Sequence, residues 1–462
     1  MPYTRKVGSL LAGCMLLLWA AAPAQDSTVG LQQLLNSMRV NAPSLAADSA
    51  AISVKQQQLY ATGYNWLPSF KLNYQADVGT NNNLPGGYFG FGIIPSNSKV
   101  RAEGNSGTIL TNLGIASLDW EIYNFGAWDA QKKAAASDLQ VEEARFSQSL
   151  YQLQAYTIDA YLQLVRFQDM LAIQLQNISR NEEIRRSILA LAKSGVKAGV
   201  DTSIATAELS RARLVAIEIN NQIQQIRLQL GTLSGIPPEK MVADTGIEKQ
   251  IMREYTALVA GEADTAHHPV TDYYKSLYQN SINKELLVKK SYNPKISLEA
   301  AAWGRGSSVS ATDEFRPLSN GFGFERGNYL VGLGITYNLF DLKRKQLQLR
   351  TQQSITRYAQ RKLNEQSTLL QLSVNQANTE VATAASRLQE IPNQLNAAQA
   401  AYRQKLSLYK NGLTDIIELN MALNLLYRAE TDYTTAKYNY CKAVFQKAVT
   451  ENQVDTLIQL LK

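Results

Sequence analysis

Histidine and cysteine are the scarcest chemistry-bearing residues of this chain, with two of each in 462 residues. The two histidines, His267 and His268, are adjacent, so a Ser-His-Asp site would have to be built on that one pair. There is no His-Glu-x-x-His, no Gly-x-Ser-x-Gly and no Cys-x-x-Cys. The histidine pair has no cysteine or carboxylate cluster at ligand spacing beside it, and it reads as part of a solvated linker. These absences argue against an enzyme, and no cofactor or metal is implied. Basic stripes interleaved with aromatics are also missing, which excludes nucleic acid as a partner. After residue 24 no stretch supplies the ~20 uninterrupted apolar residues of a membrane-spanning helix.

The first residues read as an export signal. Arg5 and Lys6 precede an apolar run from Leu10 to Ala22, and Ala22-Pro23-Ala24 is a small-residue cleavage site. Cleavage there lowers the formal charge from +7 to +5. Leu11-Ala12-Gly13-Cys14 resembles a lipoprotein box, yet the strongest apolar stretch, Met15–Trp19, follows Cys14 rather than preceding it. Cleavage after Ala24 is therefore the preferred reading. It leaves Cys441 as the one cysteine, expected as a small buried residue on a helix rather than a reactive thiol. An exported chain without an apolar helix is either soluble or a β-barrel.

The two halves of the chain repeat each other. Pro43 to Pro68 is 25 residues, and so is Pro269 to Pro294. Lys193-Ser-Gly195 and Lys410-Asn-Gly412 stand at matching places, each followed by an Arg-Ala pair ending 17 residues after the glycine, Arg211-Ala212 and Arg428-Ala429. The order in each copy is helix, strand, strand, long helix, turn, helix. The resulting division is a signal at 1–24, a first repeat at 25–232, a linker with one short insert at 233–268, a second repeat at 269–450 and a tail at 451–462.

Four segments alternate with the two-residue period of a strand. Phe70, Leu72, Tyr74, Ala76 and Val78 alternate with Lys71, Asn73, Gln75 and Asp77. Residues 329–339 do the same, and 109–123 and 295–303 less regularly. Leu113 and Ile115 fall out of phase with Leu118-Asp-Trp120, which predicts a bulge between them. Strands of about ten residues, apolar on one face, with glycine- and asparagine-rich loops (79–107 and 304–327) between them, suit a transmembrane barrel. Helical runs of 68 and 70 residues follow, Gly126 to Lys193 and Asp341 to Lys410, each roughly 100 Å long if fully helical. In the first, Phe146, Leu150, Leu153, Thr157, Ala160, Leu164, Phe167 and Leu171 step by four and three, a coiled-coil seam. Pro392 predicts a kink in the second. Each run stops at a glycine turn, Gly195 or Gly412, and returns as a helix over about 201–232 or 416–450.

Four strands cannot close in a bilayer, and open edges are not tolerated there, so several copies must share one barrel. At this point the chain resembles the TolC-type outer-membrane efflux proteins. The resemblance rests on the strand entries Pro68-Ser-Phe-Lys-Leu72 and Pro294-Lys-Ile-Ser-Leu298, on the junctions Tyr123-Asn-Phe-Gly126 and Leu339-Phe-Asp341, and on the two glycine hairpins. It implies an α+β membrane protein: a long α-helical coiled-coil barrel and a four-strand share of a twelve-stranded β-barrel, built as a homotrimer. It also implies the outer membrane of a Gram-negative bacterium, with lipid around the strands and a periplasmic helical domain. The partners implied are a membrane-fusion adaptor and an inner-membrane pump of RND or ABC type. By resemblance the adaptor docks on the tips Ser194, Gly195, Val196, Asn411, Gly412 and Leu413. The periplasmic gate falls on Glu418, with Asp415 and Asp201 as further acids. Where the family often has a second acid, this chain has Met421, leaving one acidic ring. Each acid has a second reading as a helix cap or first-turn residue. That reading is preferred for Asp201, which Thr202 and Ser203 follow, and both stand for Glu418. Lys132, Lys133 and Lys343-Arg-Lys345 follow strands and by position meet lipid headgroups or water. The competing interpretation is a secreted coiled-coil scaffold or adhesin without a pore.

Overall fold

A computed structural model describes residues 28–80, 82, 103–193, 199–259 and 267–461, with the side chains of 254–259 excepted. The export signal, Ser194, Gly195 and Val196 lie outside the described residues. The elements run α1 (Leu31–Asn41), α2 (Pro43–Thr62), β1 (Ser69–Thr80), β2 (Thr108–Tyr123), α3 (Ala127–Lys193), α4 (Gly199–Ser234), α5 (Ile247–Val259), α6 (Pro269–Ser291), β3 (Lys295–Ser307), β4 (Arg326–Thr336), α7 (Asp341–Lys410), α8 (Ile416–Thr450) and α9 (Val454–Leu460). The duplicated order appears as α2-β1-β2-α3-α4 followed by α6-β3-β4-α7-α8. The linker contains a 3-10 turn (Pro238–Lys240) as well as α5, and Ala243 makes a parallel bridge to Val29. Two compact units cut across the repeats. One holds Gln152–Ala263 and Val374–Lys462 with the segment up to Pro43, the other Ser44–Tyr151 and Asp264–Ser373.

The second unit contains one antiparallel sheet in the order β1-β2-β3-β4, so β1 and β4 are open edges. Register places Phe70, Leu72, Tyr74 and Val78 on the same face as Leu118, Ala116, Gly114 and Leu110 of β2. That row continues into Ala300, Ala302 and Gly304 of β3, then Val331, Tyr329 and Gly327 of β4. The opposite face carries Lys71, Asn73, Gln75, Glu299, Arg305 and Asn328. Pairing is unbroken past Leu113 and Ile115, and no bulge occurs there. The register shifts instead between Glu121 and Tyr123. Leu113 and Ile115 simply remain on the polar face, where Ile115 pairs with Trp303. Over Gly114 and Gly304 lies the Phe324 ring, so close that a Cβ would approach it to 2.7 and 2.8 Å. Any side chain at either glycine displaces that aromatic.

Asn124 turns the strand into a helix. Its Oδ1 accepts from the amides of Ala127 (3.0 Å) and Trp128 (3.3 Å), which the first turn of α3 leaves unpaired. His268 performs the same task for α6. Its Nδ1 accepts from Val270 N, and its ring meets Tyr151 edge-on at 5.1 Å. It is buried, which corrects the expectation of a solvated histidine pair, and only His267 is exposed.

In the first unit Thr157, Ala160 and Leu164 are buried, as the seam predicts, whereas Phe167 and Leu171 are only half-buried. Ile158, Tyr161, Leu162 and Val165 are buried as well, so α3 is enclosed on more than one stripe here. Tyr161 explains part of this. Its hydroxyl donates to Val29 O and accepts from Asp244 N, stitching the N-terminal segment and the linker to α3, and burial pushes its pKa to about 12. Cys441 is buried as expected, beside the Glu248 carbonyl, and burial pushes its thiol up. α7 passes through Pro392 without interruption.

Candidate functional site at the hairpin tips

The helix ends that lead into the two hairpin turns belong to the first unit and share one apolar core. Ile184 and Ile188 of α3, Ala205 of α4, Tyr409 of α7, and Ile416, Leu419 and Leu423 of α8 pack together. Lys410 of the second hairpin reaches Glu183 of the first at 3.8 Å. The second tip closes with a paired-bond turn. Gly412 N donates to Tyr409 O (3.1 Å) and Leu413 N to Leu408 O (2.9 Å), while Gly412 adopts φ +74°. No atom lies near the missing Cβ, so backbone strain alone opposes a side chain. Gly412→Ala is expected to loosen this turn by about 1–2 kcal/mol, with Gly412→Asn milder. Hydrogen exchange at residues 407–415 checks this, and equal exchange in the two variants would refute it. Asn411 donates to Ser407 O, and Leu413 is exposed.

Of the three acids, Asp415 caps α8, its Oδ1 accepting from Glu418 N at 2.9 Å. Asp201 sits in the first turn of α4 and contributes to raising the Tyr409 hydroxyl pKa, behind the larger effect of burial. Glu418 is exposed but engaged, accepting from Lys405 Nζ and from Thr414 Oγ1 at 2.7 Å. Those bonds hold its carboxyl below the usual range. The structure therefore brings Asp415 and Glu418 together at one helix start. It adds two partners, Lys405 and Thr414, that sequence spacing did not single out. Lys405 lies 13 residues upstream across the turn, where only the closed hairpin places it. Leu413, Ile417, Met421 and Leu425, four residues apart, form an exposed apolar line beside this pair.

Further from the tip, charges tie the hairpins laterally. Arg180 of α3 grips Glu430 of α8 with two parallel bonds of 2.8 and 2.7 Å. Lys437 of α8 donates to Glu248 of α5 (2.6 Å) and Asp169 of α3 (3.0 Å). Among the described residues no cluster of three metal-ligating side chains occurs. No helix there is long and apolar enough to cross a membrane.

The family model for outer membrane efflux proteins matches residues 34–236 and 286–446. The chain belongs to the outer membrane efflux protein family. It is thus a member of a channel family and not an enzyme. Solved channels of the same architecture share the fold. The outer-membrane channel OprN has 19% identity and a TM-score of 0.70 over 92% of this chain and 90% of that one. CmeC of Campylobacter jejuni has 13% identity and a TM-score of 0.71, covering 94% and 89%. VceC of Vibrio cholerae has 15% identity and a TM-score of 0.69, covering 91% and 95%. No curated protein sequence matches the chain.

Proposed function

We propose that three copies join their sheets into one twelve-stranded barrel in the outer membrane, forming the exit duct of a tripartite efflux or type I secretion system. The observation that carries this reading is the bare sheet. Phe70, Leu72, Tyr74 and Val78 of β1 and Tyr329, Val331, Leu333 and Ile335 of β4 are all exposed in one protomer, on the two strands whose edges are unpaired. In lipid an open edge costs several kcal/mol for each unsatisfied group. Pairing β4 of one copy with β1 of the next removes both edges and keeps the apolar face outward. The helical hairpins then continue the duct into the periplasm. Their tips meet a membrane-fusion adaptor, through which an inner-membrane pump drives transport.

In this reading Glu418 lines the periplasmic entrance, and Lys405 neutralises part of its charge. Single-channel recordings of the purified protein in planar bilayers test both statements. Glu418→Ala is expected to reduce cation preference, and Lys405→Met to increase it by freeing the carboxylate. Because the Glu418 carboxyl is held low, its charge is present above the usual carboxylate range. It is lost only as pH falls through the lowered value, so cation preference should persist into mildly acid solution. Discrete conductance unaffected by either substitution would place the gate elsewhere, and absence of membrane insertion would remove the duct.

A further inference from the structure

Three of the chain's five tryptophans line one cavity. Trp66 precedes β1, Trp120 lies near the end of β2, and Trp128 is in the first turn of α3. With Ile122, Asp129 and Lys132 they line a space of about 430 Å³ within the sheet-bearing unit. The indole N–H of Trp120 donates to Trp66 O at 2.9 Å, which holds those two walls together. Ile122 is the extra residue at the Glu121/Tyr123 register shift, and such shifts re-aim side chains.

The cavity sits where the apolar sheet face ends. Trp120 pairs with Leu298 and stands in the same row as Leu118 and Phe70 by alternation. Around these strand ends Tyr64, Tyr123, Phe125, Tyr337 and Phe340 are exposed, with Tyr123 edge-on to Phe125 at 4.7 Å. A band of exposed aromatics bordering an apolar strand face is the signature of a membrane–water boundary. The cavity thus opens at headgroup level in the barrel reading, on which this inference rests.

Its chemistry is that of a zwitterion site. Indole faces attract a cation, and Asp129 supplies the opposite charge beside them. Lys132, one helical turn on, supplies a cation suited to a phosphate. Neither makes an ion pair with a described residue. We infer that this cavity binds the headgroup of a phospholipid carrying a phosphate and a primary ammonium, with the ammonium against the tryptophans and Asp129 and the phosphate on Lys132. The acyl chains then lie along the Leu118–Leu298 side of the sheet. A trimethylammonium headgroup has no N–H to donate to Asp129, and a glycerol headgroup has no cation for the indoles.

The test is lipid retention by the full-length protein, released from nanodiscs of equimolar phosphatidylethanolamine, phosphatidylcholine and phosphatidylglycerol and weighed by native mass spectrometry. The ethanolamine lipid should be retained about tenfold over each competitor. Asp129→Asn combined with Lys132→Gln should erase that preference, and Trp128→Phe should weaken it while keeping the packing. The wild-type protein is also presented with mono-, di- and trimethylated ethanolamine lipids, where retention should fall stepwise. A flat methylation series, or a preference untouched by the double variant, overturns the inference. Failure of the wild-type chain to enter the discs would instead count against the membrane barrel itself.

Discussion

Val331→Arg is expected to prevent assembly in the membrane. Val331 is the central residue of β4 and is exposed in the apolar row, in register with Ala300. Arginine at the midplane of a barrel's lipid face costs about 2–4 kcal/mol. The proposed trimer would bear that cost three times over, a sum comparable with the whole stability of an ordinary domain. Asn73→Arg is the matched control, because Asn73 stands on the polar face opposite Ile115 and the new charge would face water inside the duct. The measurement is the fraction of each variant recovered from outer-membrane fractions as a heat-resistant oligomer. Near-complete loss for Val331→Arg with near-normal recovery for Asn73→Arg is the expected result. Equal recovery would mean that the apolar face does not meet lipid, and the scaffold interpretation would gain.

The second large effect is expected at Lys437. Its ammonium joins α8 to Glu248 of α5 and Asp169 of α3, and the Glu248 side chain is only 3% exposed. Burial pushes the Glu248 carboxyl above its ordinary value, although Lys437 pulls it back. Burial alone would lower the Lys437 ammonium, but its bonds to Glu248 and Asp169 outweigh that and hold it up. Lys437→Met leaves Glu248 buried without its partner, a change that costs about 3 kcal/mol or more. Unfolding followed by circular dichroism should therefore begin several degrees lower. Adding Glu248→Gln removes the stranded charge and should recover most of the loss. In the single variant Glu248 has a folded pKa raised further above its unfolded one. Stability is then full below the unfolded pKa and is lost as pH rises through the raised value, so the deficit should shrink in acid. A deficit independent of pH, or one the paired replacement does not relieve, would assign the effect to packing instead.

The ends of α7 and α8 fall where the pattern put them, because Asn338 and Gly412 mark those boundaries with local chemistry. Asn338 Oδ1 accepts from Phe340 N, and Gly412 takes up the left-handed conformation that stops α7. β4 pairs over 326–336 rather than 329–339, since the alternation of Tyr337 and Leu339 outlasts the ladder. Leu113 and Ile115 break the apolar alternation without any change in pairing. They are apolar residues on a polar face, and only the register shows that the shift lies further along. Asp415 and Glu418 were visible as acids near a glycine turn. The Lys405 contact that helps to hold the Glu418 carboxyl low depends on the hairpin being closed. The tip core joins residues as distant as Ile184 and Leu423, and no periodicity announces a contact of that separation. The tryptophan cavity is hidden for the same reason, since Trp66 and Trp120 stand 54 residues apart.

The open order β1-β2-β3-β4 has a genetic consequence. If a finished barrel needs three intact sheets, one faulty copy spoils the product for two sound ones. In a cell making sound and Val331→Arg chains in equal amounts, and mixing them freely, roughly one barrel in eight would be built entirely from sound chains. Such an allele would behave as dominant. Its severity would depend on whether the arginine chain is discarded before or after it pairs.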